Sequence, residues 1–132
     1  MAVHIRAGVE RSGKFICSNA LINQIQKASL WSMESGLHGG IPLDSPHRER
    51  QGYGGDALIT AKAMMYSYDM HEFYSDWMDD FIDAQDKTTG FLPHTVPCQD
   101  GGGGPAWGSA FDYYHMAYVP LLRRHEECRR VF

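Results

Sequence analysis

Two stretches rich in Gly and Pro, GGIPLDSPHRERQGYGGDA at 39–57 and FLPHTVPCQDGGGGPAWG at 91–108, divide an otherwise helix-periodic chain. Gly and Pro interrupt both helices and strand ladders, so regular structure has to lie between these stretches. Before the first, Leu21, Ile25, Ala28 and Ser32 recur at helical spacing behind Ser18, a plausible N-cap. This predicts a helix over about 19–33. Between the stretches, Asp56 can cap a second helix whose apolar face is Ala57, Ala61, Met64, Met65 and Tyr68. Asp69 and Glu72 resemble a capping box opening a third helix. In it Phe73, Trp77, Phe81 and Ala84 share one face, Asp76, Asp79, Asp80 and Asp83 form a solvated one, and Thr89-Gly90 marks the end. A fourth helix is expected over about 109–124, carrying Ala110, Tyr113, Tyr114, Ala117 and Leu121. Residues 1–16 alternate weakly through Val3, Ile5 and Ala7 and read as a short strand and a linker. The class is therefore all-α, about four helices with two long loops at one end. Connections of that length in a small domain are usually functional.

Composition narrows the function. The 132 residues are 43% hydrophobic and 21% charged, enough for one globular domain. The net charge of -4 and the lack of a clean basic cluster argue against a nucleic-acid partner. Three widely spaced cysteines, Cys17, Cys98 and Cys128, form neither a disulfide framework nor a zinc knuckle and read as free thiols. The N-terminus lacks the apolar run of a signal peptide, and no stretch is long and apolar enough to span a membrane. Export of the chain as written is therefore not expected, and no membrane partner is implied.

The first loop carries the chemistry. Asp44, Glu49 and Asp56 provide paired carboxyl groups, the minimum for glycoside hydrolysis, where one donates a proton and one handles water or a covalent intermediate. A proton donor at neutral pH needs burial or a neighbouring anion to raise its pKa, and the apolar flanks Ile41, Pro42 and Leu43 allow that. Composition equally allows a plain charged connector, with Arg48 simply paired to Glu49. Tyr53 and Trp107 lie in Gly-rich loops, where aromatic rings serve either packing or stacking on sugar C–H faces, whereas mid-helix Trp77 is core. His38, His47, His94, Asp44 and Cys98 show no recognised metal-ligand spacing, and no lysine and hydroxyl follow Gly101–Gly104 as a phosphate loop requires. No metal and no cofactor are called for.

DSPHRERQGYGGDA resembles the signature of the bacterial α-L-rhamnosidases, glycoside hydrolase family 78: an Asp-Cys-Pro, an Arg, a catalytic Glu, a Gly-Trp pair and Gly-Asp-Ala. FICSNALINQIQKASLWS looks like the first catalytic-domain helix of that family, and FYSDWMDDFIDAQDKTTGFLPHTVP like its next helix and loop. PAWGSA resembles its Trp-Gly-Asp-Ala element. The likeness covers about 14–132. It implies a catalytic domain of the (α/α)6 barrel type, preceded over 1–13 by the end of a β-rich domain or a linker. It also implies inverting hydrolysis of terminal α-L-rhamnosyl residues of a rhamnosylated glycoside. Glu49 would be the general acid. Asp44 and Arg48 would hold rhamnose hydroxyls, Asp56 would do likewise or support the acid, and Tyr53 and Trp107 would line the sugar pocket. Ser45, Tyr53 and Ser109 stand where the family has Cys, Trp and Asp.

A twelve-helix barrel needs several hundred residues, so these 132 are expected to form the N-terminal part of one. The family's second carboxylate, which activates water, has no counterpart here, so the isolated chain is expected to be inactive. Rival readings are a non-catalytic carbohydrate-binding or interaction module and an inactive gene fragment. An open half-barrel would expose apolar helix faces and is expected to self-associate.

Overall fold

A computed structural model describes residues 3–97 and 103–117, with side chains to 113. It contains four helices, α1 (Ala20–Ser35), α2 (Gly54–Ser67), α3 (His71–Ala84) and α4 (Pro105–Ala117), and two short strands, β1 (Leu37–His38) and β2 (Ile41–Pro42). The architecture is the all-α one that helical periodicity predicts. Among the described residues no helix is long and apolar enough to cross a membrane.

The helix ends fall where backbone N–H groups find acceptors. Asn19, not Ser18, caps α1, its side chain accepting from Leu21 and Ile22 N–H. Asp56 does not cap α2. It lies in the first turn, where a carboxylate favours the positive helix end, while Tyr53 is the cap residue. A carbonyl from a distant segment meets one free donor there: Gly54 N–H bonds His94 O at 3.2 Å. Met70 caps α3 without a side-chain bond, and Asp69, one residue earlier, accepts from His71 N–H at 3.4 Å. That helix stops at Ala84, short of Thr89-Gly90. The Asp86 carboxylate takes the Thr88 and Thr89 N–H groups and folds the chain into a turn, and those bonds hold its pKa down. Helix α4 starts at Pro105, earlier than the pattern predicts, because proline suits a first helical turn that needs no N–H. Its expected residue Leu121 lies outside the described residues.

The core gathers between α2, α3 and α4. Ala57, Ala61 and Met64 of α2 and Phe73, Trp77 and Phe81 of α3 are buried. The Trp77 and Phe81 rings meet edge-on at 4.9 Å, and Phe111 of α4 lies 5.6 Å from Phe81. On α3, Asp76, Asp79 and Asp83 are exposed, as the solvated face requires. Asp80 is half-buried, and its pKa is raised by desolvation and then by repulsion from Asp83, Asp76 and Asp79.

Three further expectations are corrected. The apolar stripe of α1 faces outward: Leu21, Ile25, Ala28 and Ser32 are exposed, and Leu30 is the buried residue, beside half-buried Met33 and Glu34. On α4, Ala110 is buried but Tyr113 is exposed, and Phe111 makes the core contact. Residues 3–17 form no strand. They run as an extended strap, joined to Tyr68 by one bridge at Arg11, with Ser12 and Gly13 N–H on Ser67 O and Asp69 N–H on Glu10 O. Gly13 is essential to this approach, since a Cβ there would meet Tyr66 O at 1.8 Å. Tyr68 pins the C-terminal part of α1 by donating to Glu34 Oε1 at 2.8 Å and Leu30 O at 3.3 Å. Burial, with Glu34 adding to it, pushes the Tyr68 pKa up to about 12.

Candidate active site

The first connector leaves α1 through a hairpin that the loop composition hid. Gly39 (φ 55) and Gly40 (φ 83) make a two-residue turn that L side chains adopt poorly, and β1 and β2 pair across it. Beyond β2 the chain closes a second loop. Asp44 N–H bonds Gln51 O at 3.0 Å, and the Asp44 carboxylate accepts Gln51 N–H at 2.9 Å. This clamp sets the two ends of segment 44–51 side by side. Inside it, residues 46–49 turn with Arg48 N–H on Ser45 O at 3.4 Å, and Arg50 takes a left-handed conformation, φ 59. That conformation costs a non-glycine residue roughly 1–2 kcal/mol. Strain of this kind gathers at functional sites.

Arg48 and Glu49 therefore stand on an exposed turn, and Asp44 is half-buried at its base. Among the described residues no hydrogen bond or ion pair joins Arg48 and Glu49 to each other, to Asp44 or to Asp56. The plain surface pair that the sequence allowed between Arg48 and Glu49 does not form. The burial of the acid that the apolar flanks allowed is also absent: Ile41 and Leu43 are half-buried, but Glu49 points to solvent.

The second connector lies against the end of the first. Val96 N–H bonds Gly52 O at 3.1 Å, Tyr53 and Thr95 form an antiparallel bridge, and His94 O takes Gly54 N–H. Pro93, Thr95 and Val96 are buried, and Trp77 Nε1–H donates to Val96 O at 3.2 Å. The contact needs glycine at 52, where a Cβ would come 2.4 Å from Val96 O. Gly54 and Gly55 in turn let α4 approach α2. A Cβ on Gly54 would meet Trp107 O at 2.8 Å, and one on Gly55 would meet the Trp107 indole at 2.9 Å. The indole thus rests on bare backbone at the first turn of α2 and keeps 40% of its surface exposed. A supported, partly exposed aromatic ring is what stacking on a sugar face requires.

The structure brings together Tyr53, Asp56 and Trp107 at the start of α2, with Asp44 one clamp away. Arg48 and Glu49 lie on the adjoining turn. Sequence reasoning overlooked the Gly52, Gly54 and Gly55 approaches and the position of His94 beside Trp107. The paired glycines before Asp56 were the available signal. Two cavities of about 640 and 500 Å³ flank the strap instead, and none of the six residues lines either. The first lies between the strap and the α2–α3 junction, and the second between the strap, α1 and the end of α2. Cys17, half-buried, is a free thiol, while Cys98 and Cys128 lie outside the described residues.

Four helices whose two long connectors meet at the start of α2 make an all-α unit. The model of the bacterial alpha-L-rhamnosidase six-hairpin glycosidase domain matches residues 10–118, and the chain belongs to that family. An alpha-L-rhamnosidase of Formosa agariphila is 39% identical over 79 residues, covering 60% of this chain and 8% of that protein. A second from the same organism is 31% identical over 123 residues, 86% of this chain and 13% of that protein. The solved alpha-L-rhamnosidase of Dictyoglumus thermophilum superposes with a TM-score of 0.74 at 36% identity, covering 92% of this chain and 15% of that one. The 132 residues thus span a small part of the relatives they match. The fold is part of a six-hairpin, (α/α)6-type domain.

Proposed function

We propose that this chain supplies the proton-donating side of an α-L-rhamnosidase active site that cleaves terminal α-L-rhamnosyl residues with inversion. The observation that carries the reading is the junction of the two connectors: the family's loop, clamped by Asp44, runs into the helix start that supports the Trp107 indole. Glu49 protonates the glycosidic oxygen as its bond to the anomeric carbon breaks. Asp44 and Arg48 hold rhamnose hydroxyls, and Asp56 does the same or supports the acid. Tyr53 and Trp107 present faces to the sugar ring. Glu49 is exposed, so in this reading substrate or further residues of a complete domain enclose it during the reaction.

Inversion needs a second carboxylate about 6.5–9.5 Å from the first, with the attacking water between. We place that base outside these 132 residues, and residues 1–13 at the end of a preceding domain. The isolated chain then turns over no substrate. Release of nitrophenol from an aryl α-L-rhamnoside tests this: no release is expected. Turnover that Glu49→Gln abolishes would place both groups within the chain. In a complete domain containing these residues, Glu49→Gln should lower kcat by about 10²–10⁴-fold. Rhamnose binding with no turnover in any context would favour a carbohydrate-binding module instead.

The outward stripe of α1, with Leu21 63% and Ile25 56% exposed, supports self-association of the isolated chain. Sedimentation should find oligomers, and a monomer at all concentrations would contradict it.

A further inference from the structure

His94 belongs to the second connector, and neither the signature loop nor the helix pattern singles it out. Its main chain is fixed, because its carbonyl accepts Gly54 N–H at 3.2 Å and the next residue, Thr95, bridges Tyr53. Its side chain is half-buried, with the ring centroid 6.0 Å from that of Trp107 at 55°. Its Nε2 faces Gly104, where a Cβ would lie 3.6 Å away. Gly104 O in turn accepts Trp107 N–H at 3.2 Å and Gly108 N–H at 2.9 Å, so the imidazole sits where α4 begins. The indole therefore has backbone beneath it at Gly55 and an imidazole at its side. A glycine floor supports a ring but does not orient it, since it offers no side chain to resist sliding or tilting. A ring on a rigid, main-chain-bonded segment can supply that constraint.

We propose that His94 is a positioning residue of the sugar pocket, its imidazole fixing the Trp107 indole in the orientation that stacks on the sugar. The proposal rests on the pocket reading given above. It makes the second connector part of the binding apparatus and predicts that a flat ring, rather than a ring nitrogen, is what position 94 requires.

The test uses the full chain carrying Trp31→Phe. Trp31 is 59% exposed and stacks on His4 at 4.3 Å, whereas Trp77 is fully buried, so this background leaves Trp107 as the accessible indole. Acrylamide quenching of the indole and calorimetric titration with rhamnose are measured for His94→Ala, His94→Gln and His94→Phe, with folding checked by circular dichroism. Loss of one aromatic contact should weaken rhamnose binding about 3–10-fold. His94→Ala and His94→Gln are both expected to show that loss together with increased quenching, and His94→Phe to restore both. If His94→Ala does not fold, His94→Gln against His94→Phe carries the same contrast. Unchanged quenching in the ringless variants would overturn the proposal, as would increased quenching with undiminished rhamnose affinity. If the Trp31→Phe chain itself binds no rhamnose while the quenching contrast persists, the pocket reading has failed and the proposal falls with it. If rhamnose binds but the contrast is absent, only the role of His94 has failed.

Discussion

The two long connectors are similarly rich in Gly and Pro but differ in charge and in construction. The second is packed inward over 93–96: Pro93, Thr95 and Val96 are buried, main-chain bonds tie this part to the start of α2, and Trp77 holds Val96 O from the core. The first is built outward: it is held at its base by the hairpin and the Asp44–Gln51 clamp, and its turn carries Arg48 and Glu49 into solvent. Arg48 and Glu49 stand on an exposed turn, and the packed residues 93–96 lie beside the start of α2. Such a division suits a site completed by other parts of a larger domain.

The comparison can be broken from the packed side. Trp77→Ala removes a fully buried ring and the donor to Val96 O, and should cost about 3–5 kcal/mol in a denaturant titration. Gly52→Ala forces a Cβ to 2.4 Å from Val96 O, parting the connectors at their junction for about 1–3 kcal/mol. The base of the first connector depends on Tyr68, which holds the C-terminal part of α1 through Glu34 and Leu30 O. Its pKa rises from 10.0 in the unfolded chain to about 12 in the folded one. The folded state thus holds this proton more tightly. The contribution is complete below pH 10 and is lost as pH rises from 10 toward 12. Thermal scans should show a loss across that window larger than that of Tyr68→Phe by on the order of 2 kcal/mol.

Smaller effects sharpen the contrast. Asp80→Asn removes a half-buried charge repelled by three neighbours, Asp76 and Asp83 at helical spacing among them, and should stabilise the fold at neutral pH by about 0.5 kcal/mol. Its sign is the reverse of a paired carboxylate, since protonation relieves repulsion. Arg50→Gly relaxes a left-handed residue but frees the unfolded chain, so stability should change by less than about 1 kcal/mol. A large loss there would mean that the Arg50 side chain, rather than the clamp, holds the turn.

Helical periodicity was sufficient for the fold class and for the buried faces of α2 and α3, since those faces meet core partners within the chain. It misled at α1, where the regular stripe Leu21, Ile25, Ala28 points outward and the inward face is the mixed set Leu30, Met33 and Glu34. Periodicity identifies an apolar face, not what covers it. Helix starts shifted by one or more residues because caps depend on which acceptor arrives. At α2 that acceptor is His94 O, forty residues away in sequence. The candidate loop was legible as a motif, and its clamp was foreshadowed by Asp44. The meeting of Trp107 with Gly55 was not legible, because it depends on long-range main-chain pairing between 52–54 and 94–96. The Gly39–Gly40 hairpin carried a local signal that the surrounding charged residues obscured.

Calorimetric titration of rhamnose into the folded 132-residue chain and its Trp107→Ala variant bears most directly on the claim that these connectors form the sugar-facing side of the site. The account predicts saturable binding by the chain and its loss in the variant. No binding by a folded chain at millimolar rhamnose, or equal binding by both, would contradict it.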